Sequence, residues 1–68
     1  MRMWLVVSVY IDGMVINVDK FKTKGRAIKY LESLGFKKRG SRGRVIHFDS
    51  YGSYAEIIPE DEIKFFGG

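Results

Sequence analysis

The sequence has no cysteine, one histidine, one proline and no apolar run long enough to cross a bilayer. Without cysteine there is no disulfide and no thiolate for catalysis or metal binding, and one histidine cannot build a structural metal cluster. The 68 residues are therefore held by packing or self-association, and a core of this size seldom supplies more than about 3–5 kcal/mol. The N-terminal run Trp4 to Ile11 falls far short of the roughly 20 residues a membrane helix needs. Despite Arg2, it also lacks the long apolar centre and cleavage site of a signal peptide. The chain reads as one domain, 1–68, soluble and cytoplasmic, with Gly67 and Gly68 as a fraying end.

What is abundant is positive charge in one place. Ten of the twelve cations lie between Lys20 and Arg44, against the single acid Glu32. The flanks are acidic, with Asp12 and Asp19 before and Asp49, Glu56, Glu60, Asp61 and Glu62 after. A net charge of +4 conceals this separation of sign.

From Met3 to Asp19 the pattern is a hairpin, because Asp12 and Gly13 separate two runs rich in β-branched and aromatic residues. A two-residue Asp-Gly loop favours a type I′ turn. Pairing Ile11 with Met14 sets Val9 opposite Ile16 and Val7 opposite Val18. Leu5, Val7, Val9, Ile11, Met14, Ile16 and Val18 then share one face, expected to be the core face. The other face carries Trp4, Val6, Ser8, Tyr10, Val15, Asn17 and Asp19. A second subunit, a ligand, or Phe65 and Phe66 folding back are its candidate covers, with Trp4, Val6 and Tyr10 as candidate interface residues.

A helix follows whose ends can be named. The Thr23 hydroxyl can accept from the N–H of Gly25 or Arg26 as an N-cap. Ala27, Ile28, Tyr30, Leu31 and Leu34 form one apolar stripe. Gly35 supplies a left-handed residue after the last turn, and Phe36 can pack back on Leu31.

Lys37 to Arg44 reads as a basic, glycine-containing loop or short hairpin, with room for an extra strand at Phe36 to Arg39. Val45 to Asp49 and Tyr54 to Ile58 read as strands around Ser50 to Ser53. With Ser50 facing Ser53, Phe48 pairs with Ala55 and Ile46 with Ile57 on the core face, while His47 meets Glu56 on the other. Pro59 ends the strand because it has no N–H for the ladder, and Glu60 to Glu62 read as a polar turn. The fold class is α+β, in the order β-β-α-β-β, with a single helix packed on one face of an antiparallel sheet.

The stretch from Asp19 to Phe36, ending in Leu34-Gly35-Phe36, resembles small uncharacterised proteins of phages and prophages of Gram-positive bacteria. That resemblance implies a viral origin and carries no activity with it. The segment from Tyr30 to His47 resembles the helix–strand–strand part of HicA-type mRNA interferase toxins. Where that family has Gly-Ser-His, this chain has Gly40-Ser41-Arg42, so the family's catalytic histidine is missing from its position.

Two basic constellations stand out. Lys22, Lys24 and Arg26 gather at the helix start, where unpaired N–H groups already present partial positive charge and cations are unfavourable by about 0.3–1 kcal/mol each. Either an anion such as phosphate offsets the repulsion, or the surface is simply solvated and screened. The second, Lys37, Lys38, Arg39, Arg42 and Arg44, is interleaved with Gly40, Ser41 and Gly43. It can follow a phosphate backbone or serve as a solvated turn. Tyr51 and Tyr54 are the aromatic residues best placed to stack on bases.

His47 could act as a general acid or base in RNA cleavage, although a cross-strand pair with Glu56 also accounts for it. There is no cysteine nucleophile, no serine with a histidine partner nearby in the expected fold, no Walker-type phosphate loop, no supported carboxylate pair and no zinc-binding spacing. The residues point to a non-enzymatic module that binds nucleic acid or a phosphate-bearing ligand. Two alternatives are a phage inhibitor of a host protein or defence system, which includes capture of a nucleotide signal, and a HicA-like ribonuclease. Homodimerisation through the sheet face opposite the helix is expected from the small size and Trp4.

Overall fold

The runs on either side of Asp12-Gly13 form two antiparallel strands, β1 (Trp4–Tyr10) and β2 (Val15–Phe21), with Val9 opposite Ile16 and Val7 opposite Val18. A computed structural model describes residues 3–65, with side chains through Glu62. The register is the expected one, but the turn is not. Pairing closes at Tyr10 opposite Val15, and Met14 N–H donates to the Ile11 carbonyl at 3.2 Å across the loop of residues 11–14. Met14 carries the positive φ, 51°, and neither Asp12 nor Gly13 does. A type I′ turn would need positive φ at both of those residues.

Helix α1 (Lys24–Ser33) starts where Thr23 Oγ1 accepts from Arg26 N–H at 3.2 Å. It stops at Gly35, φ 91°, where Gly35 N–H bonds the Glu32 carbonyl and Phe36 N–H bonds the Leu31 carbonyl, each at 3.0 Å. That pair of bonds is a Schellman motif. The chain then runs directly into β3 (Lys37–Arg42), so most of the expected basic loop is a strand. A two-residue turn with Gly43 at φ 61° leads to β4 (Val45–Ser50), and Gly52 at φ 62° turns β4 into β5 (Ser53–Pro59). A 3₁₀ turn, Glu60–Phe65, follows where a polar turn is expected. Gly67, Gly68 and the side chains of Phe65 and Phe66, for which fraying and folding back are expected, lie outside the described residues.

All strands join one antiparallel sheet in the order β2-β1-β5-β4-β3. The β4–β5 register matches the sequence reading, with Ile46 opposite Ile57, Phe48 opposite Ala55 and His47 opposite Glu56. The core face of the first hairpin does not. The helix lies on the face of Val6, not of Val7 and Val9, and Val6, Ala27, Leu31, Phe36, Ile46, Phe48, Ala55 and Ile57 form one buried cluster.

The inversion has a physical cause. β1 pairs with β5 so that Val6 faces Ile57 and Ser8 faces Ala55, which puts the even residues of β1 on the same side as the apolar residues of β4 and β5. A sheet face is buried as a whole, so the central strands outvote the outer hairpin. Ile11, Met14, Ile16 and Val18, assigned to the core from the sequence, are exposed. Ser8 is buried under the helix, and among the described residues its Oγ has no hydrogen-bond partner.

Candidate nucleic-acid interface

The acids of the chain select which cations remain without a partner. Arg39 is the extra residue of a bulge between Lys38 and Gly40, and its Nη1 donates to Asp49 Oδ2 at 2.9 Å. Arg44 bonds Asp61 at 2.8 Å and Glu62 at 3.4 Å, and hydrogen bonding to Asp61 raises its already high pKa. Lys20 stands 3.9 Å from Glu60. The 3₁₀ turn acids therefore serve as internal counter-charges.

Lys22, Lys24, Arg26, Lys29, Lys37, Lys38 and Arg42 have no carboxylate in ion-pair range among the described residues, and all are exposed. They do not form one patch. Lys22, Lys24 and Arg26 follow β2 on one edge of the sheet, whereas Lys37, Lys38 and Arg42 belong to β3 on the other. Four inter-strand spacings place these edges about 19 Å apart.

The helix start has a partial internal explanation. Lys24 Nζ sits 5.8 Å from the centroid of the Trp4 ring, a cation–π contact worth about 0.5–1 kcal/mol at an exposed site. It offsets part of the repulsion for Lys24 and none for Lys22 or Arg26. The first turn carries no acid.

On the sheet face opposite the helix, Arg39, Arg42, His47, Tyr54 and Glu56 line a shallow groove. Gly40 faces His47 across the strand pair, and a Cβ there would meet nothing within 4 Å, so the groove is open beside the imidazole. His47 Nδ1 lies 3.1 Å from Glu56 Oε2, as the cross-strand pairing implies. The two carboxylates of the groove are thus committed, Glu56 to His47 and Asp49 to Arg39. Tyr54 is 45% exposed and Tyr51 fully so, while Tyr30 packs on Phe21 and donates to Asp19 at 3.2 Å.

Trp4, Val6 and Tyr10 do not form an open interface. Val6 is fully buried, Trp4 and Tyr10 pack against the same core, and Tyr10 meets Phe36 edge-on with ring centroids 6.2 Å apart. The cover is the chain's own helix. The exposed apolar surface lies instead on Ile11, Met14, Val15, Ile16 and Val18. The signal for it in the sequence was the second apolar set, on β4 and β5, competing for the single helix.

Among the described residues no cluster of three or more potential metal ligands occurs, and no helix is long and apolar enough to cross a membrane. No protein-family model matches the chain, and the searches of curated proteins and of solved structures gave no match.

Proposed function

We propose that this chain is a small non-enzymatic module that engages nucleic acid, or another phosphate-bearing ligand, along its β3 edge. One observation carries the reading: Lys37, Lys38 and Arg42 are exposed on an edge strand with no carboxylate partner among the described residues, although acids elsewhere in the fold neutralise Lys20, Arg39 and Arg44. Gly40 and Gly43 add no side chain beside them, and the space around both is open. A phosphate backbone can approach such a strand closely. Contacts to phosphate dominate, so sequence preference is weak and salt dependence steep.

Lys22, Lys24 and Arg26 form a second, separate cluster on this reading. A phage origin and action in the host cytoplasm accompany it. Charged edge residues also discourage sheet-to-sheet association, so binding must be tested directly. The tagged chain is passed through host lysate with and without nuclease. Co-purifying nucleic acid that disappears on nuclease treatment supports the reading, and a protein partner retained after complete digestion contradicts it.

A further inference from the structure

Gly40 is the residue of β3 that the fold does not call for. A glycine inside a strand weakens it, having no side chain to pack and more backbone freedom to lose. Neither backbone nor packing requires it here. Its φ is not positive, so the bulge at Arg39 does not depend on it, and a Cβ built on it would meet nothing within 4 Å. What Gly40 supplies is an opening.

Cross-strand pairing shows what the opening leads to. On the face opposite the helix, Lys37 pairs with Asp49 and Asp49 with Tyr54, Gly40 with His47 and His47 with Glu56, and Arg42 with Val45. Gly40 therefore lies between Lys37 and Arg42, both exposed and without a carboxylate partner among the described residues. Across it lies His47, and Tyr54 is the diagonal neighbour of His47, about 7–8 Å away. The Tyr54 side chain makes no hydrogen bond and meets no other ring among the described residues. Asp49 is held by Arg39 at 2.9 Å and Glu56 lies 3.1 Å from His47. Acids beside the groove disfavour a phosphate inside it but not an uncharged base, so the cations of β3 mark the phosphate path.

We propose that the ligand of this surface is a single-stranded nucleic acid. Lys37 and Arg42 hold its phosphates along β3, and an unpaired base passes over Gly40 to stack on Tyr54. The inference rests on the reading of the β3 edge given above and adds the strandedness of the ligand. A duplex can offer phosphates to Lys37 and Arg42, but its base faces are stacked on one another and cannot reach the Tyr54 ring. DNA and RNA single strands share the chemistry that this site recognises.

Fluorescence anisotropy with single-stranded DNA, single-stranded RNA and duplex DNA of one sequence tests the proposal. The wild type is expected to bind a single strand more tightly than the duplex, and the preferred sugar names the source. Tyr54→Leu keeps apolar bulk and loses the aromatic face. It should weaken single-strand binding roughly 5- to 150-fold with the salt slope unchanged, whereas Tyr54→Phe should bind like the wild type. Gly40→Val suits a strand and should keep or raise the urea midpoint, yet weaken single-strand binding and spare the duplex. A duplex bound as tightly as the single strands would overturn this inference and leave the β3-edge reading standing, as would a Tyr54→Leu or Gly40→Val variant that binds the single strand like the wild type. Binding to none of the three nucleic acids would overturn both. A dimer seen in sedimentation without nucleic acid, and dissociated by Tyr54→Leu, would assign the face to a second copy and overturn the inference too.

Discussion

Arg39 is locked to Asp49 by a 2.9 Å charge-assisted bond, while Lys38, its neighbour in the same strand, faces no carboxylate among the described residues. One basic strand therefore contains both neutralised and available cations. Asp49→Asn removes the counter-charge and leaves the strand in place. It is expected to raise nucleic-acid affinity and to steepen the log–log salt dependence by about 0.7–0.9, the effect of one added phosphate contact. Fluorescence anisotropy over a salt series measures it. An unchanged slope would remove Arg39 from the binding surface.

Leu31 is fully buried, whereas Leu34, one turn on, is 46% exposed. Leu31→Ala should cost about 2–5 kcal/mol, most or all of the roughly 3–5 kcal/mol that a core of this size supplies. Leu34→Ala should cost less than about 1 kcal/mol. Urea midpoints compare the two, and equal losses would contradict the placement of the helix.

Ser8 has a buried hydroxyl with no hydrogen-bond partner among the described residues. An unmet buried polar group costs about 1–3 kcal/mol, so Ser8→Ala, which removes it and little volume, should raise stability by about 1 kcal/mol in the same titration. A loss of stability would mean that the hydroxyl is satisfied in solution.

Burial first, and then the negative charge of Asp19, raise the pKa of the Tyr30 phenol above its ordinary value of 10.0. Above that value the unfolded chain releases the proton more readily than the folded one, so stability falls as pH rises toward the folded pKa and is unaffected by this group below about pH 9. Tyr30→Phe should flatten the alkaline limb of the stability profile measured by denaturant titration. An identical limb in the variant would assign the alkaline loss to other groups.

The local features could be read from the sequence because their causes lie within a few residues. Thr23 caps Arg26 three positions away, and Gly35 and Phe36 close the helix onto Glu32 and Leu31. The core face was hidden because it depends on β1 meeting β5, whose partner residues lie about 50 positions apart in the chain. β3 was hidden because Lys37-Lys38-Arg39-Gly40-Ser41-Arg42 has little strand propensity, and pairing with β4 overrides it. The candidate cations could be counted in the sequence. Which of them remain unpaired depends on Asp49, Glu60, Asp61 and Glu62, and their reach is set by the sheet.

The most direct measurement is the salt dependence of nucleic-acid binding by Lys37→Ala/Lys38→Ala/Arg42→Ala beside the wild type. The account predicts weaker binding to every sequence tested and a log–log slope shallower by about 2–3, one contact for each cation removed. Affinity and slope that match the wild type, with the fold intact, would contradict it.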